Sequence, residues 1–433
     1  MNSMNRRRFL QTSTLAAAGT WLAGCQTGPR KFAAYDKLNI GIIGTANRAA
    51  SNINGVLGQN IVALCDIDEN YLAAAKQRFP RAKTFKDFRR LLEQPGIDAI
   101  VVSTPDHTHA VATVAALQSG RHVYCEKPLA HTVSEARIVS ATVRKTGRAT
   151  QLGTQIHAEN NYRRVVELVQ SGAIGTVQEV HVFVDTKYGM DRFPSRDIAP
   201  RNIDYDLWLG PVFYRTYSKE YIPNAWRNWW HFGGGTMADF GCHHMDLAHW
   251  ALNLSYPSTI EAEGPPVHPE SVPQWMIVHY EYPARIHAKV ENDLPPVKLT
   301  WYQGGKRPHY FEDGKLPKWG SGTLFVGSKG MLLADYSKHV LLPEKDFADF
   351  VAPKPFIPNS VGHYNEWMDA CKYGTPTSCN FGYGGLLTEA ALLGNVAFRA
   401  GKKLKWDPIA LRAENCPEAD QFIQHFYRPG WKI

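Results

Sequence analysis

The chain has 433 residues, 44% of them hydrophobic, which is material for a sizeable core and for two domains and excludes disorder as its main state. The formal net charge is +8, three units of it from Arg6, Arg7 and Arg8, and no Lys/Arg block interleaved with aromatics occurs, so nucleic acid is a poor partner. The seven cysteines (Cys25, Cys65, Cys125, Cys242, Cys371, Cys379, Cys416) form no C-x-x-C and no zinc spacing with histidine, and no metal is expected.

Residues 1–24 read as an export signal. Asn5-Arg6-Arg7-Arg8-Phe9-Leu10 resembles a twin-arginine signal, and Leu22-Ala23-Gly24-Cys25 resembles a lipobox in which Cys25 is lipidated and becomes the first mature residue. The apolar stretch 15–24 is shorter than the roughly 20 residues that span a bilayer. Residues 25–37 then form a tether, which makes the protein periplasmic or a membrane-anchored lipoprotein with a soluble body. Twin-arginine export carries folded proteins. Folding in a reducing cytoplasm argues against obligatory disulfides, so the other six cysteines are expected as small apolar free thiols.

Residues 38–153 read as an α/β Rossmann domain. An apolar run at 38–43 meets Gly44-Thr45-Ala46-Asn47-Arg48-Ala49. A helical pattern and a second apolar run, 61–65, lead to Asp66, which lies 22 residues after Gly44. That is near the spacing at which an acid binds the adenosine ribose of a dinucleotide whose pyrophosphate sits on the intervening helix N-terminus. The fingerprint is imperfect, because alanines fill its second and third glycine positions and alanine does not readily adopt φ > 0. No base follows Asp66, which favours NAD over NADP. Helices are expected at 70–78, 85–92 and 109–119, and strands at 98–103 and 121–125. The last two strands end in Ser103-Thr104-Pro105-Asp106-His107-Thr108-His109 and in Glu126-Lys127-Pro128-Leu129, at the ligand-binding edge of a parallel sheet.

The glycine turn, the Ser-Thr-Pro-Asp-His-Thr-His stretch and the Glu-Lys-Pro-Leu turn together resemble the Gfo/Idh/MocA family, NAD(P)-dependent enzymes acting mainly on sugars and polyols. The resemblance implies a cofactor site drawn from Gly44, Thr45, Ala46, Asn47, Arg48, Asp66, Thr104, Pro105, His107, His109, Glu126 and Lys127. It also implies a second α+β domain, 154–433, with an open, mostly antiparallel sheet. Strands are expected there at 177–185, 259–263, 275–282 and 298–302, and a helix at 233–252; 304–307 and 353–358 read as loops. In the family the lysine of Glu-Lys-Pro and an Asp-x-x-x-His pair supply the catalytic groups, which correspond here to Lys127, Asp239 and His243. Asp239 and His243 lie at i and i+4, on one helical face.

The residue types suit hydride transfer. His243 is the natural base for a hydroxyl proton, with His244 an adjacent alternative. Lys127 can stabilise alkoxide charge, and Asp239 can orient the imidazole or bind a neighbouring hydroxyl. Gln155, His157, Trp226, Arg227 and Trp230 are candidates for lining a carbohydrate pocket, through stacking on C–H faces and hydrogen bonds to hydroxyls. An exported dehydrogenase meets no obvious NAD pool, so a tightly held, internally recycled cofactor is expected. That leaves a sugar oxidoreductase, a redox-neutral NAD-dependent glycosidase or lyase, or a non-catalytic carbohydrate-binding lipoprotein. A homo-oligomer follows from the family's habit of pairing its open sheets.

Overall fold

Short apolar runs buried on both faces build the first sheet, as expected where helices cover a parallel sheet on both sides. The structure, a computed structural model, describes residues 33, 36–285, 294–314, 316–424 and 426–433. The expected export signal, Cys25 and most of the expected tether lie outside the described residues. Strands β1 (Asn39–Ile43), β2 (Asn60–Cys65), β3 (Lys83–Phe85), β4 (Ala99–Val102), β5 (His122–Cys125) and β6 (Thr150–Leu152) are all parallel, in the order β3-β2-β1-β4-β5-β6. This is the doubly wound order, whose direction reverses between β1 and β4 and opens a crevice at their carboxyl ends.

Two local differences from the sequence reading have simple causes. The helix expected at 85–92 covers only Phe88–Leu92, because Phe85 ends β3 and the Asp87 carboxylate caps the helix by accepting from the Arg89 amide at 2.8 Å. Strands β3 and β6 have three residues each, and two of the three in β3 are exposed, so neither shows as an apolar run.

The second sheet contains β7 (Val177–Val184), β8 (Thr259–Glu263), β9 (Met276–Tyr282), β10 (Val297–Gln303), β11 (Ser321–Gly327), β12 (Gly330–Ala334), β13 (His339–Leu342), β14 (Leu404–Asp407) and β15 (Arg412–Ala413). Its order is β13-β12-β11-β7-β10-β9-β8-β14-β15, and every pairing is antiparallel except β7 with β10. β9 alternates buried and half-buried positions, the signature of a strand with one face on a core. That core is shared with helices Asn160–Gln170, Gly235–Leu252 and Phe381–Ala400, through side chains such as Val165, Met245, Leu393, Val278 and Leu299. The six described cysteines are free and buried. No described helix is long and apolar enough to cross a membrane.

Candidate active site

The glycine turn after β1 sets one wall of a cleft at the switch point. Gly44 has φ +84°, and a Cβ there would lie 2.7 Å from the Ser103 carbonyl oxygen, so the position requires glycine. Asn47 also has a positive φ (55°), with ψ −116°. Ala46 and Ala49 have no such demand on them, so the departures from the glycine fingerprint fall where the backbone does not need glycine. Asp66 is pinned to the same turn. One carboxylate oxygen accepts from the Thr45 amide and hydroxyl, both at 2.8 Å, and the other accepts from the Asp68 amide at 3.0 Å. Burial pushes the Asp66 carboxyl above its usual range, against those hydrogen bonds.

Gly44, Thr45, Ala46, Asn47, Arg48 and Asp66 line the cleft together with Thr104 and Pro105 from the end of β4. The helix Arg48–Gly55 starts there, its Ala49 and Ala50 amides turned back on the Ala46 and Asn47 carbonyls at 3.1 Å each and its N-terminal dipole facing the cleft. A close-approach glycine, a helix N-terminus and an acid at the ribose distance together fit a dinucleotide.

Three residues expected at the cofactor face inward instead. His107 and His109 are each 1% exposed, because the first turns of helix Asp106–Gln118 are wholly buried. His107 Nε2 lies 2.8 Å from the Trp208 carbonyl. His109 spans the Pro128 and Thr104 carbonyls at 2.7 Å each, which fixes the Lys127-Pro128 turn against the loop after β4. Glu126 is buried behind the cleft, where it accepts from Arg48 Nε and Gln155 Nε2, both at 2.9 Å. Gln155 therefore braces Glu126 rather than standing free.

Lys127, at the end of β5, meets the helix Gly235–Leu252. Its Nζ donates to Asp239 Oδ1 at 2.6 Å and to the Asp239 carbonyl at 2.5 Å. Arg227 Nε lies 3.2 Å from the same Oδ1, and the Tyr188 hydroxyl donates to Oδ2 at 2.9 Å. Burial raises the Asp239 pKa, but the Lys127 and Arg227 charges and the hydrogen bonds from Lys127 and Tyr188 outweigh it and hold the group ionised, well below the usual range. An ammonium has three protons, and two of those on Lys127 are committed to Asp239. Asp106, fully buried beside this cluster, is pushed up to about 8 by burial and by Asp239, against the pull of Arg227 and Lys127. Two cations thus face one firmly ionised carboxylate and one that is readily protonated.

His243 lies one turn beyond Asp239. Burial, then Lys127 and His244, push its pKa well below the ordinary value, with Asp239 opposing. The ring is therefore held in its neutral, unprotonated form near neutral pH. Its Nδ1 is buried without a hydrogen-bond partner, and so is Nδ1 of His244. Asp239 is engaged with Lys127, Arg227 and Tyr188, so it acts as the counterion of the lysine and not as the orienting partner of the imidazole. The His244 ring stacks on Tyr336 with centroids 4.5 Å apart, and burial and Lys127 push it down to about 3.

The remaining sequence candidates separate. Trp226 and Arg227 line the cleft, with the guanidinium 4.1 Å over the Trp226 ring. Trp230 does not: its Nε1 donates to the His268 carbonyl at 3.1 Å and it packs in the second-sheet core. His157 is also buried, with Nδ1 3.0 Å from both Asp246 oxygens and its ring stacked on Trp250. Asp106, Tyr188 and Tyr336 are the groups that sequence reasoning missed. The two tyrosines come from connections after β7 and β12 that carry no motif.

The family model described as oxidoreductase family, NAD-binding Rossmann fold, matches residues 38–154, and the one described as the family's C-terminal alpha/beta domain matches 158–306. A myo-inositol 2-dehydrogenase of Thermotoga maritima is 28% identical over 176 residues, 41% of this chain and 49% of that protein. A glycosyl hydrolase family 109 protein of Saccharopolyspora erythraea is 30% identical over 265 residues, 54% of this chain and 51% of that protein. The chain spans about half the length of the curated relatives it matches. Among solved structures, the aldose-aldose oxidoreductase of Caulobacter crescentus complexed with glycerol superposes with TM-score 0.55 at 17% identity, covering 86% of this chain and all of that one.

Proposed function

Since the chain belongs to the Gfo/Idh/MocA family of NAD-binding oxidoreductases, we propose that it moves a hydride between bound NAD and a carbinol carbon of a sugar, polyol or glycoside. The observation that carries this reading is Lys127 Nζ, held 2.6 Å from Asp239 beside the neutral His243. NAD, when bound, supplies the hydride acceptor. His243 takes the hydroxyl proton, and the uncommitted proton of Lys127 stabilises the developing alkoxide. Asp239, itself held by Arg227 and Tyr188, keeps that ammonium in place. Trp226 and Arg227 close one side of the cleft.

The substrate class is supported by the names of the relatives, an inositol dehydrogenase and an aldose-aldose oxidoreductase. The motifs at Arg6–Arg8 and Cys25 support twin-arginine export and a lipid anchor, with the cofactor tightly held and recycled. A homo-oligomer is part of the same proposal. A second reading rests on the likeness to the glycosyl hydrolase family 109 protein, which spans 265 residues against 176 for the inositol dehydrogenase. In that reading a ring carbinol is oxidised, the acidified neighbouring C–H loses its proton to a second base, His244 or a tyrosine, and the glycosidic oxygen leaves. Water then adds and the hydride returns, so that NAD is regenerated and the net reaction is hydrolysis.

The test uses protein expressed with its own signal and purified from the membrane. It is denatured to count bound NAD(H), and intact protein is incubated with a panel of glycosides and free sugars. About one nucleotide per chain, with turnover and no net NADH, is the expected result; the products distinguish glycoside cleavage from sugar-to-sugar transfer. Protein without nucleotide that turns over only with added NAD would overturn cofactor recycling. No turnover and no nucleotide would overturn the enzymatic reading.

A further inference from the structure

The segment 426–433 ends the second domain and bridges it to the first. Arg428 Nε donates to the Gly210 carbonyl at 2.6 Å, and its other nitrogens donate to the Asp206 side chain and carbonyl at 2.5 and 2.6 Å. The Tyr427 hydroxyl donates to Glu135 at 2.7 Å, and Ile433 packs against the core of the parallel sheet. Between these anchors Trp431 is half-buried and lines the cofactor cleft. It shares that part of the wall with Lys86, Asp87 and Phe88, which follow β3, and with Asp66. Because Asp66 marks the ribose of the adenosine half, this is the adenine end. The Arg89 guanidinium sits 4.6 Å over the indole, its own position fixed by Asp87, and Phe88 lies 6.0 Å from the same ring.

From this geometry we infer that Trp431 is a cofactor-binding residue that walls the adenine, and that the segment 426–433 is a strap that slows nucleotide release. The inference rests on the family's NAD-binding Rossmann domain. A purine needs a flat, apolar, polarisable surface, and an indole carrying a cation on one face supplies it.

The test is calorimetric titration of the full chain, stripped of nucleotide, with NAD and with ADP-ribose, which has the adenosine half but no nicotinamide. Base–aromatic stacking is worth about 1–3 kcal/mol, so Trp431→Ala should weaken both ligands about five- to a hundredfold, and Trp431→Phe should restore most of the loss. Arg428→Ala, which frees the strap while leaving the indole itself in the chain and removing a guanidinium 6.0 Å from its centroid, should raise the dissociation rate of ADP-ribose. ADP-ribose affinity and dissociation within twofold of the unaltered chain in both alanine variants would overturn the inference and leave the cofactor assignment standing. A chain that binds neither ligand would overturn both.

Discussion

The lysine at the end of β5 draws its chemistry from a single carboxylate. Asp239 takes two of its three protons and balances its charge, so a Lys127→Met chain should lose about a hundred- to a thousandfold in kcat, measured as reduction of bound nucleotide. The same substitution carries a test of the electrostatics. Lys127 is second only to burial in holding His243 down, so its removal should move the His243 titration to higher pH, read by histidine NMR with His243→Asn as the assignment control. Activity requires the neutral imidazole, which exists above its depressed pKa. The acid limb of kcat should therefore fall below pH 6.5, the value of a free imidazole. Lys127, Asp239 and His243 were legible in the sequence because the lysine sits in a short motif just after a strand and the other two share one face of a helix. Tyr188, Tyr336 and Asp106 were not, since two lie on irregular connections and the third is distinguished only by what folds around it.

Helices carry the junction between the two halves. Arg137, on helix Val133–Thr146, makes a bidentate pair with Glu389 on helix Phe381–Ala400, at 2.8 and 2.7 Å. The glutamate is 2% exposed and its pKa is raised by burial, so Arg137→Ala leaves a buried carboxylate unpaired and should cost about 3 kcal/mol in urea unfolding. The two helices meet through Gly385, where a Cβ would lie 2.0 Å from Ser140 Oγ. That hydroxyl donates to the Phe381 carbonyl at 2.9 Å, so Gly385→Ala must displace it and should cost about 2 kcal/mol. Those glycines also explain an omission. The sequence Phe381-Gly382-Tyr383-Gly384-Gly385 looks like a loop by propensity, yet it opens a buried helix whose small residues allow close approach. The strands β1, β2, β4 and β5 were legible as apolar runs, and helix Gly235–Leu252 was expected within two residues of its start. By contrast β11, β12 and β13 were missed, because glycines and short spacing hide their alternation.

Over the whole molecule the buried histidines set the acid response. Burial pushes His122 and His249 to about 4 and His244 and His363 to about 3. In the unfolded chain each takes up a proton near pH 6.5, so the unfolded state binds more protons below that value and stability falls with pH. Asp106, raised to about 8, works in the opposite sense: its folded form keeps a proton that the unfolded chain gives up above about pH 3.9, so it gains stability as pH falls. Asp66 and Glu389, also raised by burial, act in the same sense as Asp106, but the depressed histidines, His243 among them, outnumber these carboxylates, so the thermal midpoint should drop between pH 7 and pH 5; a flat midpoint over that range would contradict the neutral rings. The two-sheet architecture was legible mainly through the family resemblance, since the second half offers little periodicity of its own. The proposed export signal and lipid anchor belong to this scale too: Cys25→Ala should release the protein from the membrane fraction, and unchanged partition would exclude the anchor.

The most direct measurement mixes the purified, nucleotide-loaded chain with one equivalent of a reactive sugar or glycoside and follows absorbance at 340 nm within the first turnover. A transient rise from bound NADH in the unaltered chain, lost in Lys127→Met, is the expected result. Product formation with no such signal, equally fast in both chains, would contradict hydride transfer at this site.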